Sequence, residues 1–434
     1  MLVFNLVILK LIEKKQAGEE LTSDEIYRLI SAIVDGSAPD YQVSALLMAI
    51  YFKGLTQAET IALTRALVET GETLSFPEEF SPVLDKHSTG GVGDKISLIL
   101  VPLLASAGFK VSKMSGRGLA HTGGTIDKLE AIPSMRVDLS KEELFNQLAT
   151  VGCVIISQSE RLVPAEKKLY ALRDATGTVA SHPLIAASIL SKKIAGGADA
   201  VVLDVKCGKG GFFKTYGDAT AFATEILAVS REFPLILTSV ITDMNQPLGR
   251  MVGNALEVME VYRALEEGDT SVGMVNLAIR LGSELVHSTQ RMGIDEVESL
   301  LEECLRSGKA FKVFCEMVSA QGGDLSAFLQ EIQEIENRVV KLPVKSPIAG
   351  LVVDLDAFAI GKAVQMLGGG RTKMEDKIDP YVGIELVKKV GESVAEGEPL
   401  AFIYCTKRPE SLERKVLDPD EACHIVLSAY SLVS

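Results

Sequence analysis

Two runs in this 434-residue chain carry the residue types that hold an oxyanion. The first is Lys86-His87-Ser88-Thr89-Gly90-Gly91-Val92-Gly93-Asp94. The second starts at Lys113-Met114-Ser115-Gly116-Arg117-Gly118 and ends at Gly123-Gly124-Thr125-Ile126-Asp127-Lys128. Both combine hydroxyls, cations, and glycines that let backbone N–H groups approach a ligand. Each follows a short strand-like run and precedes a helical one, so the positive end of a helix dipole meets each loop. Loops that follow strands of one sheet share its carboxyl edge, where α/β sheets bind ligands. Two such runs within Lys86–Glu130 therefore read as one anion cradle with two arms. Taken singly, either is also compatible with an ordinary glycine turn, the second with a turn and a helix cap at Thr125. The spacing fits neither a Walker A loop nor GxGxxG, so nucleoside triphosphates and dinucleotides are not implied.

The elements that must position the cradle follow from periodicity. Thr22 and Glu25 form a capping box before the apolar face Ile26, Leu29, Ile30, Ile33, and Gly36 stops that helix. Asp40 reads as the cap of a second helix (Val43, Leu46, Leu47, Ile50). Thr56 and Glu59 box a third that ends at Gly71. From Val83 the pattern turns α/β. Buried strands are read at Phe109–Val111, Cys153–Ile156, Ala200–Val205 and Leu235–Ile241. Helices are read at Ser97–Ala107, Asp138–Val151, Pro164–Leu172, Pro183–Lys193 and Gly217–Phe233, then at Asn254–Glu267, Ser271–Val286 and Asp295–Gln321. Short strands alternating with helices predict a mostly parallel sheet covered on both faces. After Arg338, short β-like runs broken by Gly and Pro predict a smaller α+β domain. The expected fold class is thus α/β: a small all-helical domain, a large α/β domain and a C-terminal α+β domain. The expected boundaries are 1–70 with 162–195, 76–161 with 196–337, and 338–434.

Composition narrows the partners. Hydrophobic residues make up 47% of the chain, which excludes a disordered protein. The net charge of −14, from 44 basic and 58 acidic residues, argues against a nucleic-acid polymer as partner. An anionic ligand must then be held by a local positive cluster. The six scattered cysteines form no CxxC pair and read as buried thiols of a reducing, cytoplasmic compartment. No apolar stretch long enough to span a membrane is present. The opening Met1–Leu9 reads as an amphipathic core or dimer helix rather than a signal peptide.

The second run resembles, at every specified position from Ser115 to Glu130, the signature SGRxLxxTGGTxDKxE of thymidine and pyrimidine-nucleoside phosphorylases. The first resembles their KHSTGGVGD. The likeness continues through Tyr170–Asp174, Ala187–Lys193, Asp204–Lys206, Asp243–Gly249 and the C-terminal region, essentially the whole chain. It implies phosphorolysis of a pyrimidine (deoxy)nucleoside to free base and (deoxy)ribose 1-phosphate, in a cleft between lobes that close on the two substrates. By matching position it implies a phosphate shell of Lys86, Ser88, Ser97, Lys113, Ser115 and Thr125, with the backbone of His87 and Met114 beside them. It implies a pyrimidine side of Tyr170, Arg173, Ser188 and Lys192, with Phe212 lining the base pocket. His87, Arg173 and Lys192 are the candidate catalytic residues. His121 reads as loop support, and His182, His287 and His424 as surface or packing residues. The resemblance implies a homodimer and no organic cofactor. In some relatives a structural potassium ion is held at positions matching Gly93, Leu248, Met251 and Glu260. Where those relatives carry a hydroxyl, this chain has Lys95, whose ammonium either takes the ion's place or repels it. The C-terminal stretch from Ser346 to Leu400 resembles a biotinyl/lipoyl-type hammerhead, but the insert around Gly368–Lys373 argues against a carrier role.

The implied chemistry is sound on its own terms. A pyrimidine offers two carbonyl oxygens and an N3–H, and cations at those oxygens stabilise the charge of a departing base. Phosphate is itself the nucleophile, so no protein nucleophile is needed. The transition state is oxocarbenium-like, with charge divided between phosphate and base. His87 can donate to a base carbonyl. Three alternatives stay open: a strict thymidine phosphorylase, an anthranilate-type phosphoribosyltransferase, and a nucleoside or phosphate carrier without turnover.

Overall fold

A computed structural model describes residues 2–118, 123–159, 161–270, 272–373, 375–413 and 415–434, with side chains in the first helix described from Ile8 onward. His121 lies outside the described residues. Helices α1 (Leu2–Gln16), α2 (Ser23–Val34), α3 (Asp40–Lys53) and α4 (Gln57–Glu69) open the chain. There follow β1 (Val83–Ser88), α5 (Ile96–Ser106), β2 (Lys110–Ser115), α6 (Thr125–Leu129), α7 (Lys141–Thr150) and β3 (Cys153–Ser157). Next come α8 (Pro164–Thr176), α9 (His182–Ala195), β4 (Ala200–Cys207), α10 (Tyr216–Ser230) and β5 (Ile236–Asp243). These strands make one sheet of order β3-β2-β1-β4-β5, with β2 and β3 paired in parallel. The strand β6 (Met251–Val252) leads into α11 (Asn254–Glu267), α12 (Gly273–Ser288), α13 (Ile294–Arg306), α14 (Lys309–Ala320) and α15 (Leu325–Gln333).

The C-terminal region adds β7 (Val339–Lys345), β8 (Gly350–Leu355), α16 (Ala357–Val364), β9 (Gly383–Leu386), β10 (Ser393–Val394), β11 (Pro399–Thr406), α17 (Pro419–Ser428) and β12 (Tyr430–Val433). Its strands form two antiparallel sheets, β6-β9-β11-β7 and β10-β8-β12, around a core that includes Val352, Leu355, Ile384, Leu386, Ile403 and Val426. The architecture is therefore the expected one: helical N-terminal part, α/β part with a parallel sheet, and an antiparallel C-terminal part.

The chain divides into two compact units. One comprises 1–85, 158–201 and 220–239; the other comprises 86–157, 202–219 and 240–434. In the first, α2 and α8 pack together, and α4 packs on α2 and α9. Both capping boxes form, Thr22 with Glu25 and Thr56 with Glu59. Glu59 does more than cap. Its buried carboxylate also pairs with Lys15 at 2.7 Å and accepts from Leu21 N at 2.8 Å, tying α1 to α4. In the second unit α5 is buried on every side from Ile96 to Leu104, between β2 and helices α11 to α14. A helix apolar all round needs such enclosure, and this one carries the loop after β1 on its N-terminus.

Three local expectations are corrected. The helix expected over Asp295–Gln321 is broken at Gly308 (φ +74°), which starts α14 in the left-handed conformation that glycine adopts without a Cβ penalty. Asp40 is the first helical residue of α3, behind Pro39, and caps nothing. Thr125 likewise starts α6, and the capping position is Gly124. Among the described residues no helix is long and apolar enough to cross a membrane.

Candidate active site

Strands β1 and β2, neighbours in the sheet, both end in Lys-x-Ser: Lys86-His87-Ser88 and Lys113-Met114-Ser115. A strand's period of two puts each lysine on the same face as its serine. Both lysines are buried inside the second unit. Lys86 Nζ lies 3.5 Å from Asp94 Oδ2 and 3.3 Å from Asp204 Oδ2. The Ser88 hydroxyl donates to Asp94 Oδ2 at 2.6 Å, and Asp94 Oδ1 accepts from Ile96 N at 3.2 Å, at the start of α5. One carboxylate thus closes the first loop from strand to helix. Ser97 is buried in that helix's first turn, and His87 is half-buried. Lys113 Nζ donates to Met114 O at 2.8 Å, while Ser115 and Thr125 are half-buried at either end of the second loop.

Behind the first loop stands a buried ion cluster. Lys206 Nζ lies 2.7 Å from Asp204 Oδ2, and the other Asp204 oxygen accepts from Thr242 at 2.6 Å. Lys206 N donates to Thr89 Oγ1 at 2.9 Å. Gly91 packs tightly here: a Cβ would come within 2.7 Å of Met244 Cε, so that side chain would have to shift. Lys128 lies 3.4 Å from Glu257, both buried. Burial alone would push the Asp94 carboxyl up, but the Lys86 and Lys206 ammoniums and the Ser88 hydroxyl outweigh it and hold it far below the usual range. Burial would likewise push Lys206 down, and Asp204 and Asp94 raise it instead.

The second loop is braced from within. Arg117 Nη2 donates to Glu130 at 2.6 Å, so this guanidinium serves the loop's own frame. Asp127 accepts from Gly118 N at 2.6 Å and pairs with Arg371 at 2.6 Å. Arg371 belongs to the insert after α16, whose Gly369 O accepts from Asn254 at 2.9 Å. The insert that interrupts the hammerhead pattern therefore supports the signature loop.

The pyrimidine-side candidates lie together in the first unit. Tyr170 and Arg173 are on α8; Ser188 and Lys192 are on α9. The buried Arg173 donates to Val179 O at 2.8 Å and Leu184 O at 3.3 Å. Its Nε–H finds no hydrogen-bond partner among the described residues. Burial pushes the Arg173 guanidinium down and nearby Glu166 offsets that in part. Arg173 and Lys192 stand 5.9 and 5.7 Å from the Tyr170 ring centroid, within cation–π reach. Sequence reasoning missed Glu166. Its carboxylate accepts from the Ser188 hydroxyl through one oxygen and pairs with Lys192 at 2.9 Å through the other. A small cavity lined by Leu47, Leu63, Leu67, Glu166, Arg173 and Ser188 adjoins them. Phe212 is in the second unit, 37% exposed and edge-on to Phe213 at 5.3 Å.

Some of the missed residues had a readable signal. Asp204 and Lys206 put charges into a strand that is otherwise apolar and buried, and buried charge is retained where it is paired. Glu166 shares a helix face with Tyr170 and Arg173 by its spacing of four and seven. Arg371 had none, because only tertiary folding brings it to Asp127. Of the positions matched to potassium, Gly93, Leu248, Met251 and Glu260, the last two do not offer free oxygens. Lys95 Nζ bonds to Met251 O at 2.6 Å and to the Glu260 carboxylate.

The helical N-terminal part and the α/β part with its parallel sheet are the two domains of a glycosyl transferase. Residues 9–71 match the helical bundle domain of the glycosyl transferase family, and 81–311 match its a/b domain. Residues 351–425 match the pyrimidine nucleoside phosphorylase C-terminal domain. The chain belongs to the pyrimidine-nucleoside phosphorylase family. It is 46% identical over 398 residues to pyrimidine-nucleoside phosphorylase from Bacillus subtilis, covering 92% of each chain. It is 44% identical to the Staphylococcus haemolyticus protein of that name over 420 residues, 96% of each, and 44% identical to the Geobacillus stearothermophilus one, 92% of each. Among solved structures it resembles anthranilate phosphoribosyltransferase from Thermus thermophilus, with a TM-score of 0.59 and 19% identity over 72% of this chain and 99% of that one. That likeness is one of fold.

Proposed function

We propose that this enzyme catalyses the reversible phosphorolysis of pyrimidine nucleosides, uridine, deoxyuridine and thymidine among them. The observation that carries the reading is the pair of Lys-x-Ser strand ends, Lys86/Ser88 and Lys113/Ser115. Buried ammonium groups beside hydroxyls bind an oxyanion with charge-assisted hydrogen bonds. Inorganic phosphate held by them, with Ser97 and Thr125, attacks the anomeric carbon. The C–O bond to phosphate forms as the C–N bond to the base breaks, and the bonding pair leaves with the base.

Negative charge then builds on the pyrimidine carbonyl oxygens. Arg173 and Lys192 stabilise it, Arg173 with an Nε–H that has no partner among the described residues. Ser188 hydrogen-bonds the ring, Tyr170 and Phe212 pack on it, and His87 donates a proton to a base carbonyl. Glu166 holds Ser188 and Lys192 at one carboxylate, fixing their rotamers before the base arrives.

The protein acts as a homodimer. Tyr41 and Phe52 on α3 are 71% and 76% exposed, with Tyr27 and Val34 on α2 also exposed, side chains that a second copy of the chain would cover. The test is phosphate-dependent release of uracil or thymine without magnesium. Release that needs diphosphate chemistry and magnesium would support the phosphoribosyltransferase reading, and binding without turnover would support a carrier.

A further inference from the structure

The loop that precedes α11 carries carbonyls that a cation could bind, and this chain engages those of Pro247, Gly249 and Met251 with its own ammonium groups. Lys95 follows Asp94 at the start of α5, and its side chain is fully buried. Its Nζ donates to Met251 O at 2.6 Å and pairs with the Glu260 carboxylate. That carboxylate is otherwise engaged by Arg250 N at 2.7 Å and Met251 N at 3.0 Å. The next two carbonyls are taken by a second lysine: Lys389 Nζ donates to Pro247 O at 2.8 Å and Gly249 O at 3.0 Å. Space is equally committed. A Cβ on Gly249 would lie 2.8 Å from Lys95 Nζ, and a Cβ on Gly93 would lie 2.5 Å from Leu248 O.

Electrostatics point the same way. Glu260 faces Lys95, Arg250 and Lys389 together. A further cation would meet those positive groups and find Met251 O and Glu260 occupied. We propose that the Lys95 ammonium takes the place of a structural monovalent cation, so the loop Gly90–Asp94 and helix α5 are fastened to the 247–251 loop without potassium. The benefit is to the phosphate side: Ser88, Asp94 and Ser97 all sit on the segment that Lys95 anchors.

The inference concerns the scaffold, and a melting-temperature readout tests it independently of the substrate reading. Wild type and Lys95→Thr are compared in potassium chloride and in choline chloride at equal ionic strength. Wild type is expected to show the same Tm and the same kcat/KM for phosphate in both salts. Lys95→Thr removes the ammonium, frees Met251 O and Glu260, and adds a hydroxyl oxygen. It is expected to lose about tenfold in kcat/KM in choline and to regain it saturably with potassium, with Tm rising roughly 2–4 °C. Lys95→Met, which offers no oxygen, is expected to lose activity without rescue. A saturable rise of wild-type Tm with potassium overturns the proposal, as does a folded Lys95→Thr indifferent to the ion. Should Lys95→Thr fail to fold in either salt, wild-type crystals soaked in thallium(I) decide: no anomalous peak at Met251 O supports it, and a peak there overturns it.

Discussion

Asp94 shows how the site works at the scale of single residues. Its carboxylate joins Ser88, Lys86 and the first turn of α5, and it stays ionised because buried lysines outweigh its own burial. Replacing a group that meets developing charge should be costly. Lys86→Ala and Arg173→Ala are each expected to lower kcat/KM by at least ~100-fold. Near-wild-type rates in steady-state assays of either variant would overturn the corresponding assignment. Glu166→Gln keeps the shape but removes the charge that orders Lys192. It is expected to lower kcat/KM for nucleoside about tenfold while leaving KM for phosphate unchanged. Equal movement of both constants would mean that Glu166 is merely structural. At this scale the sequence was most informative where chemistry is local. The hydroxyls, lysines and glycines of both arms were visible as residue types. Glu166 was visible only as a helix-face neighbour of Tyr170, and Arg371 not at all, since its partner Asp127 is 244 positions away in the chain.

Elements explain what the residues can rely on. The helix α5 was legible because it is apolar throughout, and Lys95 was legible only as a departure from relatives that carry a hydroxyl at that position. Capping boxes at Thr22 and Thr56 were readable from spacing of three. The break at Gly308 was not, because a glycine inside a helical pattern reads equally as tolerated. Lys389 links the segment between β9 and β10 to the 247–251 loop and carries a testable pH dependence. Its pKa is lowered to about 8 from an ordinary 10.5. Between those values the unfolded chain binds the extra proton, so this group's penalty is full below pH 8 and is relieved as pH rises toward 10.5. Thermal melts across that window should show a less favourable pH slope for Lys389→Met than for wild type. Parallel curves would contradict the assignment.

For the whole molecule, three family domains account for residues 9–71, 81–311 and 351–425. Their order was readable from the change of period, from helical to alternating strand and helix to short antiparallel strands. The role of the last domain was not readable, because its contact with the Ser115–Glu130 signature runs through a salt bridge, Arg371 to Asp127, between residues far apart in the chain. The exposed aromatic residues of α2 and α3 predict a dimer, so light scattering at micromolar concentration should give about twice the 46.6 kDa chain mass, and a monomer would contradict it. The central claim is that phosphate is the nucleophile. Incubation with uridine, deoxyuridine or thymidine, with and without inorganic phosphate and in the absence of magnesium, tests it most directly. The account predicts free base and an equimolar pentose 1-phosphate only when phosphate is present. Base release without phosphate, or none with it, would contradict the account.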